Sequence, residues 1–413
     1  MRLWLHAEAE SKIVICDVDR NESGAGLESD FLKKICLVTA APMTLRVFMR
    51  NHLLNLSARY EVSAVADFSP DDLSGEWLPG VQLVSVPIAR PVSPRADWRA
   101  LLALVKYFRA GHFDVVHSIT PKAGLLAMTA ARLAGVPNRI HCFTGQVWAT
   151  RQGLGRSLLK SADKFIAANA SHILTDSHSQ RAFLESEGVL RKGQADVLGH
   201  GSISGVDLER FNPDEGARKR IRDELGLPQQ ACLLLFVGRL NRDKGVLDLA
   251  QAFARLAHDN DNVWLAMVGP DEAGIGAQFE TLCGDAMARV RRVDYTPTPE
   301  QYMAAADVFV LPSYREGFGS VVIEAAACGI PTVASRIYGL TDAVEEGVTG
   351  LLQPAGDIAA LHDNLARLCG DDELRTRMGA MAHARAARDF SMASVSAALL
   401  SYYEKILDSK IQS

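Results

Sequence analysis

The sequence predicts an α/β protein built from two doubly wound domains, each with a parallel sheet, that face each other across a cleft. Three observations predict this fold. Short apolar runs alternate with amphipathic helical stretches, the alternation breaks at residues 199–216 and then restarts, and 413 residues are too many for one hydrophobic core. Strands that alternate with helices are typical of a parallel sheet covered by helices.

The first half contains candidate strands that are short and rich in Val, Ile and Leu, at residues 35–40, 60–66, 81–87, 114–118, 139–143 and 172–176. Helical stretches lie between several of them, at residues 45–57, 97–110, 123–134, 155–168 and 179–188. The pattern returns with strands at 232–238, 263–269, 306–312 and 331–335, and helices at 246–257, 319–327 and 358–368. Residues 391–407 are apolar at helical spacing, and we expect this helix to cross back to the first domain.

Domain boundaries follow from composition. The segment 199–216 is rich in Gly, Ser, Pro and Asp, so we place the junction there, between domains at 33–203 and 204–390. Residues 391–413 then form the crossover helix, and residues 1–32, which show no period, form an N-terminal appendage. Ligands of doubly wound sheets bind beyond the carboxyl ends of the strands, so both domains should direct functional loops into the cleft.

Composition excludes several classes of protein. No apolar run reaches the length of a transmembrane helix, and the acidic N-terminus lacks the features of a signal peptide. Seven scattered cysteines without a C-x-x-C pair argue against a disulfide framework or a zinc site. No D-x-D pair is placed to hold Mg²⁺, because Asp17 and Asp19 lie in the appendage. We therefore predict a cytoplasmic protein without a metal or other cofactor.

Charge is distributed unevenly along the chain. Residues 33–207 contain 20 Lys and Arg against 13 Asp and Glu, whereas residues 208–413 contain 21 against 29. A basic half joined to an acidic half indicates that the first domain faces an anionic partner. The alternative is chance variation on solvated faces.

The segment 311–335 contains the residues most suggestive of chemistry. A buried strand ends at Pro312, and a loop with glycines leads into a helix that begins near Gly319. Backbone amides at such a helix start form an anion site, and glycine allows a phosphate to approach closely. Glu324 lies one turn after Ser320, where its carboxylate would suit a ribose diol, and Glu316 in the loop would reach a sugar hydroxyl. The alternative is a capped surface helix with two solvated glutamates.

A second motif, at residues 236–245, follows another predicted strand. Arg239 and Lys244 place a planar guanidinium and a compact ammonium five residues apart, a suitable pair for two phosphates. Alone, this segment would be an ordinary basic loop. Combined with the amide-rich helix start and the two carboxylates, it predicts a pocket for a nucleoside-diphosphate sugar.

These motifs resemble the donor domain of the retaining family 4 glycosyltransferases of the GT-B fold. The resemblance rests on Gly238-Arg239 with Lys244-Gly245, on two glutamates eight positions apart at Glu316 and Glu324, and on segments 201–211 and 342–352. It implies that Arg239 and Lys244, beside Gly238, hold the donor diphosphate. It further implies that Glu324 binds the ribose, that Glu316 binds the sugar, and that the loop supplies backbone amides from Gly317, Phe318, Gly319 and Ser320.

The first half resembles members that act on bacterial polysaccharide or glycan precursors, through residues 117–127 and 139–149. Many family members carry a histidine near the reacting carbon, where this chain has Thr144, with His141 three residues earlier. Thr144 and His141 are therefore candidate catalytic residues, and His117 and Lys122 are candidates for contact with phosphate or acceptor. Lone histidines are also common as structural groups, which is the alternative for both of them.

The resulting prediction is a retaining, metal-independent hexosyl or N-acetylhexosaminyl transferase. It moves sugar from a nucleotide sugar, most plausibly a UDP-sugar, to a glycan or polyprenyl-diphosphate-linked acceptor in bacterial surface polysaccharide or glycan synthesis. Arg239, Lys244 and Glu316 are its predicted catalytic residues. The alternatives are a sugar-nucleotide epimerase of the same fold and a non-catalytic nucleotide-sugar-binding subunit. The sequence lacks the G-x-G-x-x-G fingerprint after its first strand, which argues against a dehydrogenase, and nucleic acid is not an expected partner.

Residues 156–168 predict peripheral contact with an anionic membrane. Arg156, Lys160 and Lys164 recur at helical spacing, among the apolar residues Leu158, Leu159, Phe165 and Ile166. A lipid-linked acceptor would give such contact a purpose, at the inner face of the cytoplasmic membrane. The alternative is that the apolar residues pack into the core of the first domain.

Overall fold

A computed structural model describes residues 14–16, 32–74, 77–88 and 93–408. Within them, a first sheet has eight strands in the order β1-β4-β3-β2-β5-β6-β7-β8. The neighbouring pairs are parallel except β1, which is antiparallel to β4. These strands are β1 Val14–Cys16, β2 Lys34–Val38, β3 Glu61–Ala66, β4 Val81–Ser85, β5 Val115–Ile119, β6 Asn138–Phe143, β7 His172–Thr175 and β8 Asp196–Val197.

The second sheet contains six strands in the described part of the chain, all parallel, in the order β11-β10-β9-β12-β13-β14. They are β9 Cys232–Val237, β10 Val263–Val268, β11 Val290–Val293, β12 Val308–Leu311, β13 Thr332–Ser335 and β14 Gly350–Gln353. Except in the edge strand β11, their residues are almost wholly buried, as is typical of strands covered by helices on both faces. The predicted fold of two doubly wound domains is therefore confirmed.

Helices cover the faces of both sheets. Around the first sheet lie α1 Pro42–Thr44, α2 Arg50–Ser57, α3 Pro70–Ser74, α4 Pro94–Gly111, α5 Pro121–Leu133, α6 Gly153–Asn169 and α7 His178–Ser186. Around the second lie α8 Glu215–Glu224, α9 Val246–Asp259, α10 Gly276–Cys283, α11 Pro299–Ala305, α12 Ser320–Ala327, α13 Leu340–Ala343, α14 Ile358–Gly370 and α15 Asp372–Asp389. A π-helical turn at Leu45–Met49 joins α1 to α2.

The last helix, α16 Met392–Asp408, returns to the first domain as predicted. Leu399, Tyr403 and Ile406 are buried in the same apolar cluster as the first-sheet strands. The Tyr403 hydroxyl lies 2.8 Å from His117 Nδ1. The chain thus passes between the domains twice, and the two passages are hydrogen-bonded to each other, because the Val206 amide donates to the Phe390 carbonyl over 2.8 Å.

Some predictions differ from the structure at the edges of the sheets. Strands β8, β11 and β14 and helices α8, α10, α11 and α15 were not predicted, because they are short or polar and lack a clear apolar period. Residues 14–16 of the predicted appendage form an edge strand, while Asp17 and Asp19 lie outside the described residues. In the described part of the chain, no helix is long and apolar enough to span a bilayer.

Candidate active site

The candidate donor site lies where the order of the second sheet reverses. Strands β9 and β12 are neighbours in the sheet, and the strands that follow them in sequence, β10 and β13, lie on opposite sides of this pair. The loops that leave these two strands therefore diverge and leave a crevice between them. The first loop carries Arg239 and Lys244, and the second carries Glu316 and the start of α12. The two motifs found in the sequence thus face one crevice.

Glycine permits the close approach of these loops. Gly245 has φ +67°, and a Cβ there would lie 1.9 Å from the Pro312 carbonyl oxygen. Gly319 has φ +83°, and its Cβ would lie 2.5 Å from a methyl carbon of Leu340. Any other residue at these two positions would combine backbone strain with a clash. The glycine of each motif therefore fixes the path of its loop.

Lys244 and Glu316 form the centre of the site. The Lys244 Nζ lies 2.6 Å from Glu316 Oε1, and the Ser313 hydroxyl donates to the same oxygen over 2.8 Å. The lysine ends a short 3₁₀ turn in which Asn241 accepts a hydrogen bond from its backbone amide. Both charged groups are thereby held in place. Lys244 can bind a phosphate oxygen and Glu316 a sugar hydroxyl within one small volume.

Arg239 has a different environment. Its side chain is more than half exposed, and it forms an ion pair of 2.9 Å with Glu272 in the loop after β10. Exposed ion pairs of this kind are weak, so the guanidinium can exchange Glu272 for a phosphate at little cost. Gly238 precedes Arg239 in the chain. The Gly238 carbonyl lies against Gly269 at the end of β10.

The start of α12 has backbone amides that can bind an anion. No side chain caps this helix, so its first-turn N–H groups have no side-chain hydrogen-bond partner. The Phe318 ring is buried and packs against Phe390, which anchors the loop. Glu324 follows Ser320 by one turn, and burial raises the pKa of its carboxyl to about 7. A desolvated carboxyl of this kind suits hydroxyl groups such as a ribose diol.

The first domain approaches this loop at Thr144 and Gly145, which follow β6. A Cβ on Gly145 would lie 3.0 Å from the Gly317 amide nitrogen, and one on Gly317 would lie 2.7 Å from Asp176 Oδ2. Asp176 directly follows β7, and burial raises the pKa of its carboxyl to about 7. The structure thus brings Thr144 to the donor loop.

His117, His141 and Lys122 are not brought to this loop. His141 is buried under α5, with Nδ1 2.8 Å from the Ser118 hydroxyl, and His117 contacts Tyr403 of α16. Burial lowers the pKa of both histidines to about 3, so both are neutral at physiological pH. Lys122 forms an ion pair of 2.7 Å with Asp97 of α4. Their predicted roles in catalysis or phosphate binding stay predictions.

Sequence reasoning missed three residues beside the site. Gly145 and Asp176 lie beside Gly317 only because loops that are distant in sequence come together there. Ser313, by contrast, contacts Glu316 from three residues away in the same loop. For Gly145, the available signal was a glycine two residues after a predicted strand. Among the described residues, no group of three or more His, Cys, Asp or Glu side chains is arranged to hold a metal ion.

Two glycosyltransferase family models match this chain. A family model described as "Glycosyl transferase 4-like domain" matches residues 46–201, and one described as "Glycosyl transferases group 1" matches residues 217–385. The capsular polysaccharide biosynthesis glycosyltransferase CapM of Staphylococcus aureus is 28% identical over 328 residues, 78% of this chain and 84% of its own. A D-inositol 3-phosphate glycosyltransferase of Frankia alni is 32% identical over 371 residues, 83% of this chain and 88% of its own.

Solved structures share the fold. Sucrose-phosphate synthase from Thermosynechococcus elongatus superposes with a TM-score of 0.76 at 23% identity, covering 91% of this chain and 100% of its own. The Anabaena protein HepE, solved in complex with UDP-glucose, gives a TM-score of 0.73 at 20% identity, covering 90% and 99%. At these identities the likeness concerns the arrangement of the two domains.

Proposed function

Since the chain belongs to the group 1 glycosyltransferases of the GT-B fold, we propose that it transfers a hexosyl or N-acetylhexosaminyl group from a UDP-sugar to a lipid-linked or glycan acceptor. The observation that carries this proposal is the Lys244–Glu316 pair, 2.6 Å apart, beside the uncapped start of α12. One basic group, one carboxylate and a row of amides match the diphosphate and sugar of such a donor. HepE, of the same fold, has been solved with UDP-glucose.

The proposed reaction is a front-face substitution with retention of configuration. The acceptor hydroxyl attacks the anomeric carbon while the bond from that carbon to the diphosphate oxygen breaks, and the hydroxyl proton passes to the leaving diphosphate. Lys244 and Arg239 stabilise the negative charge that develops on the leaving group, and such fixed charges are usually the largest catalytic contribution. Because these side chains supply positive charge, the proposal includes transfer without a metal ion, and a chelator should leave the rate unchanged.

The transfer assay separates this proposal from its alternatives. The protein is incubated with radiolabelled UDP-glucose, UDP-galactose or UDP-N-acetylglucosamine and a bacterial lipid extract. We expect label to enter the organic phase with one of these donors. Conversion of the free donor to its epimer would favour an epimerase, and binding without either reaction would favour a binding subunit. An inverted anomeric configuration in the product, measured by NMR, would contradict the front-face reaction.

We also propose that the first domain contacts an anionic membrane, at the cytoplasmic face. Helices α4, α5 and α6 form one layer of the first domain. Their outer side exposes several large apolar residues, with Leu154 90% and Leu158 74% exposed, together with Trp98 and Leu102. Exposed basic residues accompany them, at Arg95, Arg99, Lys106, Arg151 and Lys164.

The structure changes which residues this contact would use. Arg156 and Lys160 are both paired with Glu187, at 2.8 and 2.6 Å, so one carboxylate compensates part of their charge. Ile166 is buried, and Leu159 packs against the core. Leu154 and Leu158 are therefore better anchors than the basic residues that the sequence indicated.

Vesicle flotation tests the membrane contact. We expect binding to vesicles that contain phosphatidylglycerol, release at high salt, and loss of binding in the double variant Leu154→Ser, Leu158→Ser. Met381→Ser, which removes an exposed apolar side chain from the second domain, is the matched control. Equal binding to neutral and anionic vesicles would contradict the proposal and favour a soluble acceptor.

A further inference from the structure

A set of hydrogen bonds joins the two domains beside the donor loop. Ser179, in the first turn of α7, donates its backbone amide over 3.2 Å and its hydroxyl to the Asp342 carboxylate of the second domain. The same hydroxyl accepts the Gly339 amide over 2.7 Å. First-turn amides have no partner within their own helix, so Asp342 caps a helix of the other domain. A carboxylate at this position is also favoured by the helix dipole.

Aromatic rings extend this contact. The Tyr338 ring stacks on Phe183 of α7, with centroids 4.4 Å apart and an angle of 18°, and Phe183 stacks in turn on Trp148. The Tyr338 hydroxyl accepts the backbone amide of Gln146 over 3.3 Å. Tyr338 therefore contacts both the helix α7 and the loop after β6. We call Ser179, Tyr338 and Asp342 the interdomain cluster.

The interdomain cluster is directly connected to the donor loop. A Cβ on Gly339 would lie 2.4 Å from the Gly317 carbonyl oxygen, so the two backbones are in close contact. Gly317 lies in turn against Gly145, the neighbour of Gln146. Glu316 is the residue before Gly317. A shift of the first domain at Ser179 or Gln146 would therefore move Gly145 relative to the loop that holds Glu316.

From these contacts we propose that Ser179, Tyr338 and Asp342 are positioning residues, which hold the acceptor-side loop after β6 at a fixed distance from the donor loop. The inference rests on the proposed function, because a fixed distance matters when two substrates bound to different domains must react. None of the three residues touches the reacting atoms in this arrangement. Their effect is on alignment, and misplacement by about 1 Å is enough to lower a rate by up to about 100-fold.

Two conservative variants test the proposal. Ser179→Ala removes the hydroxyl that contacts both Asp342 and Gly339, and Tyr338→Phe removes the bond to Gln146 while it keeps the ring stack. Ser186→Ala, on the exposed side of the same helix, and Tyr60→Phe, elsewhere in the first domain, are the matched controls. Three quantities are measured for each: UDP affinity by calorimetry, kcat of the transfer reaction at saturating donor, and amide hydrogen exchange of the peptide that contains Gln146.

We expect UDP affinity within about twofold of wild type in every variant. We expect kcat to fall about tenfold in Ser179→Ala and in Tyr338→Phe, and faster exchange at Gln146 in Tyr338→Phe, with both controls unchanged. A kcat within twofold of wild type in the double variant Ser179→Ala, Tyr338→Phe would overturn the proposal. So would parallel losses of UDP affinity and kcat, because they would indicate general structural damage.

The exchange measurement keeps this inference separate from the proposed function. If the wild-type protein binds UDP but transfers no sugar, the proposed function fails while the cluster can still be judged. In that case, unchanged exchange at Gln146 in Tyr338→Phe would overturn the cluster as well. Faster exchange would support its role in holding the two loops together.

Discussion

In the second sheet, the loops at the reversal of strand order carry Arg239, Lys244 and Glu316. In the first sheet, the equivalent segments follow β2 and β5, and they carry Pro42 and Lys122 at the starts of helices. Both sheets reverse their strand order in the same way, so the fold alone gives each of them a crevice at this place. Among the described residues, the second crevice brings Lys244 and Glu316 together, whereas the lysine at the first crevice, Lys122, is paired with Asp97. Two sheets of similar topology therefore differ in the side chains that follow their strands.

The titratable groups of the two domains differ in a related way. In the first domain, His52, His117 and His141 are fully buried, and burial lowers the pKa of each to about 3 or 4. Burial raises the pKa of the Asp163 and Asp176 carboxyls to about 6 and 7. These groups lie mostly inside the domain, so we expect their protonation or deprotonation to change the free energy of unfolding. In the second domain, we expect titration of the donor-site groups to change the affinity for the donor.

The largest expected effect, on kcat and on UDP affinity, appears when one lysine from each domain is replaced by alanine and the two variants are compared. Lys244→Ala should lower kcat about 100-fold or more and weaken UDP binding, because one fixed charge at the leaving group contributes about 3–4 kcal/mol. Arg239→Ala should have a smaller effect, about tenfold, since its side chain is exposed. Lys122→Ala should change both quantities less than about threefold, because that lysine is paired with Asp97.

Steady-state kinetics and calorimetry check these values. Wild-type UDP affinity in Lys244→Ala would contradict the donor-site assignment. A loss in Lys122→Ala as large as that in Lys244→Ala would give the first sheet a share in phosphate binding.

The next largest effect is on the free energy of unfolding, and it tests whether the buried charge of Asp163 destabilises the first domain. Its carboxylate accepts a hydrogen bond of 2.7 Å from the Trp148 indole N–H, and burial raises its pKa from 3.8 to about 6. The folded state thus favours the protonated form, so the stability that this group contributes is full below pH 3.8 and is lost as pH rises through 6. Asp163→Asn keeps an acceptor for Trp148 and should raise the free energy of unfolding by about 3 kcal/mol at pH 8.

Denaturant unfolding at several pH values checks this result. The difference between variant and wild type should shrink as pH falls below 6. A stabilisation independent of pH would show that the charge of Asp163 is not its cause.

A smaller effect separates the two glutamates of the donor site. Burial raises the pKa of Glu324 to about 7, so this carboxyl is mostly ionised at pH 8 and mostly protonated at pH 6. If the ionised form binds the ribose diol, UDP affinity should fall about tenfold between pH 8 and pH 6. Glu324→Gln should remove that part of the pH dependence, whereas Glu316→Gln should keep it and mainly lower turnover of the complete donor. Identical pH profiles of UDP affinity in wild type and Glu324→Gln would refute this division of roles.

The smallest effect concerns His141. Gln at this position can keep the hydrogen bond to Ser118, so His141→Gln should lower the free energy of unfolding by about 1–2 kcal/mol through imperfect packing against Phe143. We expect kcat to stay within about twofold of wild type. A large loss of kcat at unchanged stability would instead give His141 the catalytic role that the sequence allowed.

The fold and the donor motifs could be predicted from sequence because both are local. Buried strands such as β9 and β12 are continuous apolar runs, and the loops after them carry Gly245, Gly319 and charged residues close together in the chain. The edge strand β14 and the polar helix α15 were not predicted, because short or polar segments do not show a period.

The rest of the site depends on contacts between distant segments. Lys244 reaches Glu316 from the loop of a different strand, and Ser179 meets Asp342 across two domains. No spacing in the sequence encodes those distances. Sequence also could not separate Arg156, which is paired with Glu187, from Lys164, which is exposed.

The return of α16 to the first domain has a consequence for the order of folding during synthesis. The apolar face formed by residues such as Leu37, Leu53 and Ile140 is completed by Leu399, Tyr403 and Ile406, which are synthesised only after the whole second domain. Domains usually fold as units in the order of their synthesis. Here the second domain can complete its core first, and the first domain is finished only after it. A chain stopped before Met392 would therefore expose the core of its first domain to aggregation.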